Sequence, residues 1–578
     1  MLGDNLMVFL QIIFFFTLSF AQDSFEFSEL KGQTIQGSNI TLDRLAGEYG
    51  LVLLARESGC PISEKIGPRL KTMEAKYAAH GLPFVFLYVG QTNPTSSAYV
   101  DKEKYGFSGP YLVDPKLSLA KVLGLKTTTE ALVFSKNGKL LYRGAVDDQF
   151  AIGSQKFEAS KYYLEQKIKN ILVDKTITYS ETTPHGCLIS YPSKAVAGPS
   201  DLTYEDHIAP IFERKCLACH SSQTGVMDLS TFDLVKSRGE TIEYVIAKNI
   251  MPPWNVTKGG PWVDDFSLSE DEKKLILKWL KTFSRKTGTL VNAPAPEIYN
   301  VWALGEPSKI VKMPRQVKVP ADGPMEYQHF ILNNPFSKDV WVRGFDFKTL
   351  PKVVHHAVVH VLKDGKDLRP EKFPVNFVSR FGWAPGARAQ HFPPDVGALI
   401  PKGSKLALTV HYASNGESTI DNKTQIGFYL HSKKPARIRE EWTLLDEKLD
   451  IPPGDGNYKN RIEKIVPYDA YVMAMNTHMH LRGKSSRILL QTPSGRTETI
   501  FEVDPYLFDF QFTYERQKVL LVKAGQKIIC ENVFDNSSTN TFNPNPNQRV
   551  LWGEKTTEEM SLCNLFVYPA KSTNDPAG

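Results

Sequence analysis

Apolar positions take three different spacings in turn along this chain. Between residues 22 and 185, short continuous apolar runs alternate with amphipathic stretches. "YGLVLLA" (49–55) and "LPFVFLYVG" (82–90) predict buried strands, and the "SEKIGPRLKTMEAKYAAH" between them carries the apolar stripe of a helix. "EALVFSKNGKLLYRG" (130–144) predicts two strands turning at Asn137-Gly138, a pair that favours the tight hairpin turn. The order is β-α-β followed by a hairpin, an α/β unit. Over 186–290 the pattern becomes helical. "SLSEDEKKLILKWLKTFSRK" opens with Ser269 and Glu272 three residues apart, a capping-box signature, and continues with one apolar face. "VNAPAPEIYN" marks a Pro/Ala linker over 291–304. From 305 to 570 the alternation is mostly of period two, broken by Gly, Pro and Asn, which predicts two all-β sandwiches, 305–435 and 436–570, with 571–578 as a tail. No repeat of 20–50 residues is visible.

The first stretch, "MLGDNLMVFLQIIFFFTLSFAQD", has an apolar core from Met7 to Phe20 and small residues at Ser19 and Ala21, the −3 and −1 positions of a cut site. That is a signal-peptide pattern over 1–21, although Asp4 stands where a Lys or Arg is usual, and a start at Met7 would remove it. A retained anchor is the competing reading. No later run approaches about 18 uninterrupted apolar residues, so the mature chain is expected to have no membrane span and to be periplasmic or secreted. The length of 578 residues allows about four domains. With 69 basic and 63 acidic residues the charge is too balanced to point to nucleic acid.

Six cysteines are present: 60, 187, 216, 219, 530 and 563. "KCLACHSS" (215–222) holds Cys-x-x-Cys-His, the c-type haem attachment spacing: Cys216 and Cys219 add to the two vinyl groups of one porphyrin, and His220 is then placed on iron. A zinc site or a redox dithiol is the competing use of the same residues. Met251 in "NIMPPWN" is a candidate second axial ligand, or else a core residue. With "APIF" before it and "MPPW" and "LSEDE" after it, the segment 200–285 resembles a bacterial cytochrome c module, which implies a small all-α domain carrying one covalent haem. Cys530 ("KIIC") and Cys563 ("MSLCNLFVY") both fall in the β region, and an oxidising compartment makes a disulfide between them an expectation.

"ARESGCPISEKIGPRL" sets Cys60 between a strand and a helix, where amide dipoles stabilise a thiolate. Residues 25–175 resemble the thioredoxin/peroxiredoxin superfamily. The departures are specific: Ser63 stands where a Cys-x-x-Cys needs its second thiol, Thr129 where a cis-proline is usual, and Glu57 where a peroxidatic Thr is expected. Cys187 in "TPHGCLIS" is left as a distant resolving or disulfide partner for Cys60, and a purely structural role for the domain competes with a redox one.

Nine of the thirteen histidines lie between 329 and 480, so their placement is uneven. His355 and His356 are adjacent, His411 sits on the alternating "LALTVHYAS", and His478 and His480 in "NTHMHLRG" share one strand face. Neighbours in a regular strand point to opposite faces, so His355 and His356 can hold one ion only where the strand bends or ends. Imidazole suits copper in both oxidation states and thioether sulfur favours Cu(I). The pieces "HHA", "GWAPGA", "VHY", "HMHLRGK" and "EEM" resemble, in this order, the ascorbate-dependent type II copper monooxygenases. The resemblance covers about 310–570. It implies one copper on His355, His356 and His411, and a second, catalytic one on His478, His480 and Met560. That family often has a cysteine directly after the ligand methionine; Ser561 stands here, and Cys563 keeps the same strand face. His360 and His391 have no place in the motifs and read as packing or supporting residues.

Together these readings predict a thioredoxin-like α/β domain, an all-α cytochrome c domain and two β-sandwiches. The expected activity is hydroxylation of a substrate C–H bond with O2 at the second copper. The first copper would store an electron, and the haem would deliver electrons from an external donor. A non-enzymatic copper-binding and electron-transfer protein is the main alternative, and a thiol peroxidase centred on Cys60 a further one. The substrate, the donor and the oligomeric state are not written in the sequence.

Overall fold

The computed structural model describes residues 24–90, 93–173, 178–191, 201–224, 226–285, 301–362 and 377–571. The signal segment, the tail after 571 and most of the linker lie outside them. Among the described residues no helix is long and apolar enough to cross a membrane.

In the N-terminal unit the continuous apolar runs form the centre of an eight-stranded sheet. Leu51–Arg56 and Phe84–Val89 are buried at every position, as strands covered on both faces must be. They pair in parallel, joined by the helix Pro61–Tyr77, and the hairpin Ala131–Phe134/Leu140–Gly144 adds antiparallel at one side. Tyr111–Asp114 and the pair Lys31–Thr34/Asn39–Thr41 complete the other side. A central parallel strand pair with a crossover helix and an antiparallel hairpin is the thioredoxin-like α/β arrangement. The unit runs past 185: Ser180–Glu181 joins the sheet edge beside Leu140–Gly144, and Ile189 packs in the core with Leu51 and Leu53.

The middle region is helical, with Ala209–Lys215, Phe232–Ser237, Gly239–Ala247 and Glu270–Trp279 around Trp279 and Phe212. The capping box at Ser269/Glu272 forms in both directions. The expectation of an all-α domain needs one correction. Val256–Lys258 is a strand that pairs with Thr497–Val503 at the edge of the C-terminal sandwich. Its neighbour Trp262 is buried in that sandwich's core, and Trp254 packs against it, so the apolar area of two indoles is satisfied there and not among the helices.

The rest is two antiparallel sandwiches. In the first, the sheet Gln328–Leu332, Lys405–Tyr412, Val354–Leu362, Phe377–Trp383 faces one built on Val340–Lys348 and Gln425–Leu430. In the second, Glu440–Leu445, Leu562–Pro569, Ala470–His478, Tyr514–Val522 faces a sheet built on Gly483–Gln491 and Lys527–Phe534. The change of sheet falls at Arg439, since Arg437–Ile438 still pairs with Val396–Ile400, so the boundary moves a few residues on from 435/436. The expected linker also ends early: Ala303 N–H donates to Asp346 and Gly305 O accepts from Tyr429, which fixes 302–305 to the first sandwich. Cys530 and Cys563 are bonded to each other, with Cα atoms 6.0 Å apart, and tie the two sheets of the second sandwich. The bridge closes a loop of 33 residues, so replacing both cysteines by alanine is expected to cost the second sandwich about 2–4 kcal/mol, read as a lower urea midpoint.

Candidate metal centres

Histidines 355 and 356 reach one face because their strand is irregular at that point. Val354 lies opposite Tyr412 and His356 opposite His411, with a register shift between, so His355 is the extra residue of a bulge. The three imidazoles form a triangle: ring centroids are 5.3 Å (355–356), 5.1 Å (355–411) and 5.0 Å (356–411) apart. Among the described residues this is the one group of three or more His, Cys, Asp or Glu whose donor atoms lie within 4.8 Å of each other. Burial lowers the pKa of all three, well below the usual range for His356 and His411, where the neighbouring imidazoles reinforce it, which keeps them neutral and able to ligate. His411 Nδ1 is buried without a hydrogen-bond partner. An orphaned ring nitrogen facing two other imidazoles fits a bound ion better than it fits an apolar core.

His478 is the last residue of its strand and His480 lies just past the end, with Met479 buried between them. Their ring centroids are 5.1 Å apart. His478 Nδ1 meets Gln511 Oε1 at 2.5 Å and His480 Nδ1 meets the Glu558 carbonyl at 3.1 Å. Each acceptor holds a proton on Nδ1, so Nε2 is the ligating atom on both rings. Burial pushes His478 down to about 4 and His480 to about 3. Met560, 7% exposed, lines the same cleft, two residues before Leu562, which pairs with His478. Two neutral imidazoles and a thioether make a donor set suited to copper, Cu(I) above all.

Glu559 fixes this second set. Its buried carboxylate accepts from the N–H groups of His480 (2.7 Å), Arg482 (2.7 Å) and Met560 (3.3 Å), and so ties the two ligand segments to each other. Burial raises it to about 7, against the pull of those donors.

The two sets share a cleft of about 720 Å³, lined by His356 on one side and by His478, His480 and Met560 on the other. The ring of Phe508 stands between them, 6.3 Å from His355, 6.3 Å from His411 and 6.1 Å from His480. Trp254, Val263 and Phe266 of the middle region also line the cleft. On the opposite face, His355 and His411 line a crevice of about 70 Å³ against Gln149–Phe157 of the N-terminal unit.

Several contributors escaped the sequence reading. "YLFDFQFTY" (506–514) supplies Phe508, Gln511, and Asp509, whose carbonyl lies 3.2 Å from His355 Nε2. Tyr327 stacks on His411 with centroids 4.5 Å apart. The dense aromatic alternation of 506–514 was the only signal in the sequence. His360 is buried beside Phe377, and His391 lies on the surface beside Arg343, both away from the two sets.

Cys216 and Cys219 lie at the end of Ala209–Lys215, and His220 Nδ1 contacts the Met227 carbonyl at 2.8 Å, which turns Nε2 to the far side of the ring. Met251 packs on the same apolar core as Cys216. Burial pushes the Cys216 thiol up to about 12 and Cys219 to about 11, and the donor atoms of Cys216, Cys219 and His220 do not gather into a compact three-donor group. The residues fit covalent haem attachment. Cys219 Sγ is 3.9 Å from the Pro385 carbonyl, beside Gly386, whose loop lines the copper-type cleft.

The two facing sandwiches thus carry a three-histidine set and, across one cleft, two histidines and a methionine, donor types suited to copper. Residues 457–575, most of the second sandwich, match the family model of the copper type II ascorbate-dependent monooxygenase C-terminal domain. The chain is also similar to the thiol-disulfide oxidoreductase ResA of Halalkalibacterium halodurans, 22% identical over 119 residues. That match spans 20% of this chain and 66% of the relative's length. Among solved structures it is similar to the peroxidoxin BcpB of Mycobacterium tuberculosis (14% identity, 27% of this chain, 99% of that one, TM-score 0.21). It is similar also to a thioredoxin-like protein of Aeropyrum pernix (17% identity, 21% and 80%, TM-score 0.18).

Glu559→Ala would strand three buried N–H groups, each costing about 1–3 kcal/mol. The expected result is a loss of roughly 3 kcal/mol or more in urea unfolding of the β region, with Glu559→Gln, which keeps one acceptor oxygen, falling between.

Proposed function

We propose that the chain is a copper-dependent monooxygenase that hydroxylates a C–H bond with O2 and takes its electrons through a covalently bound c-type haem. The observation that carries the reading is the placement of two unlike donor sets across one cleft that the haem-type region helps to line. Copper, when bound, supplies one-electron redox change and O2 chemistry that no side chain offers. The protein's own part is positional. His355, His356 and His411 hold one ion through neutral imidazoles. His478, His480 and Met560 hold the other, with Gln511 and the Glu558 carbonyl fixing both ring tautomers. Trp254 and Phe266 exclude water from one wall of the cleft, and a volume of about 720 Å³ admits a substrate of small-molecule size. The loop at Pro385–Gly386 joins the haem attachment point to that cleft, which favours electron entry from the Cys219 side.

Metal analysis of the exported protein is expected to give two coppers and one iron per chain, with a c-type pyridine haemochrome. His411→Ala is expected to leave one copper. Met560→Ala is expected to abolish O2-dependent hydroxylation in a screen of peptides, amines and phenols while the three-histidine copper stays bound. A Met560→Ala protein that hydroxylates at the wild-type rate, or a wild type with no copper-dependent O2 uptake on any substrate, would overturn the reading in favour of a copper-binding electron carrier.

A further inference from the structure

The two cysteines that neither metals nor haem nor the disulfide employ lie against each other. Cys60 caps the N-terminus of Pro61–Tyr77. Cys187, far along the chain, sits on a segment paired antiparallel with the loop at 126–128. Leu188 bridges Thr127, Thr128 N–H donates to the Cys187 carbonyl at 3.0 Å, and Ile189 N–H to the Lys126 carbonyl at 3.0 Å. This pairing brings the Cys187 N–H to 3.4 Å from Cys60 Sγ. Both side chains are buried, at 0% and 4% exposure.

The middle region closes the site. Arg238, at the start of Gly239–Ala247, pairs with Glu57, three residues before Cys60, and its Nη2 would lie 3.4 Å from a Cβ on Gly59. The same helix grips the Cys187 segment: Leu188 N–H donates to Thr241 Oγ1 at 2.9 Å and Glu240 N–H to Ser190 Oγ at 3.3 Å. The thiols thus sit where two domains meet.

We propose that Cys60 and Cys187 are a reversible dithiol–disulfide couple, with Arg238 of the neighbouring helical region positioned to hold the charge of the attacking Cys60 thiolate. The couple replaces the absent second cysteine at Ser63 with one supplied from the returning chain. Burial alone would raise the Cys60 thiol, but the polar groups around it, the Cys187 N–H at 3.4 Å among them, together with the Arg238 charge, bring it to about 6. Cys187 is raised by its hydrogen bond to Cys60 and by burial, so it stays the protonated partner. The titratable groups acting on Cys60 are Cys187, Glu57 and Arg238.

The external co-reactant is a disulfide. The Cys60 thiolate attacks one of its sulfurs; that S–S bond breaks, a mixed disulfide forms, and one thiolate leaves and takes up a proton. Cys187 then gives up its proton and attacks the Cys60 sulfur. The intramolecular bond forms and the second thiol leaves. Two electrons pass from the protein dithiol to the external disulfide, which ends as two thiols. Because both sulfurs are covered, exchange requires the helical region to lift, and equilibrium is the appropriate reading.

The test equilibrates the full-length protein with mixtures of glutathione and glutathione disulfide, quenches in acid, alkylates, and maps peptides by mass spectrometry. A Cys60–Cys187 linked peptide is expected, its fraction following the two-electron ratio of glutathione squared to glutathione disulfide. In Cys187→Ser, Cys60 is expected to be trapped as the glutathione mixed disulfide. Arg238→Gln is expected to slow alkylation of Cys60 at pH 5, where the thiolate is the minor form, about tenfold for each unit by which the thiol pKa rises, while Glu57→Gln does not slow it. Separate alkylation of Cys60 and Cys187 across the whole redox range in the wild type would sink the proposal. So would an Arg238→Gln protein of native circular dichroism whose Cys60 reacts at the wild-type rate.

Discussion

A one-residue bulge in the pairing of Val354–Leu362 with Lys405–Tyr412 decides what the β region can bind. On either side of it the register is fixed by burial: Ala357, Val359 and Val361 point into the core, as do Leu408 and Val410. In an unbroken ladder His355 would follow Val353 and Ala357 inward, and one imidazole of the three would be lost to the apolar layer. The bulge turns it to the face of His356 and His411 instead. This arrangement is unfavourable to the bare fold. It interrupts a ladder, and it buries imidazoles, one with an unpartnered nitrogen. A bound ion would reverse that balance, because it satisfies the nitrogens that burial leaves bare, and metal affinity then becomes part of the stability of this sheet.

The second donor set is held by different means. No bulge is needed, since His478 and His480 already share a face; the difficulty is bringing Met560 to them from the far end of the domain. Glu559 does this with three backbone hydrogen bonds, two to the histidine segment and one to its own neighbour. The disulfide holds the same strand from within, Cys563 lying three residues beyond Met560 and opposite Thr477, one residue before His478. A carboxylate on the cleft side and a covalent bridge in the core thus fix the methionine strand against the histidine strand from both ends.

What the chain disclosed before folding follows from how local each feature is. Strand and helix periodicity, the Asn137-Gly138 turn and the Ser269 cap depend on near neighbours and were legible. The requirement for a bend at His355 followed from strand alternation alone. The grouping of His411 with His355 and His356, and of Met560 with His478 and His480, was legible only through the ordered motifs, because nothing local says which distant strands will pair. Phe508, Gln511 and Tyr327 were not legible. They are ordinary residues whose role comes from docking one sandwich on the other. Arg238 was hidden for the same reason, since its partner Glu57 belongs to another domain. Val256–Lys258 was misread because it is too short for a periodic signal and is recruited by a sheet edge some 240 residues away.

The two cysteine pairs outside the disulfide show how surroundings, more than spacing, set the chemistry of sulfur. Cys216 and Cys219 have the tighter spacing, yet burial outweighs the one nearby cation, Lys215, and holds both thiols well above the usual range. Cys60 and Cys187 are more deeply buried, but a helix start, the Cys187 N–H and the Arg238 guanidinium converge on one of them. The middle region takes part in both outcomes: it carries Cys216 and Cys219 to the loop beside the copper-type cleft and lends its arginine to Cys60 and Cys187 on the other side. The interface between the α/β unit and the helices is therefore chemical as well as structural, because separating them would remove a cation that helps hold the Cys60 thiolate while leaving the sulfurs themselves unchanged.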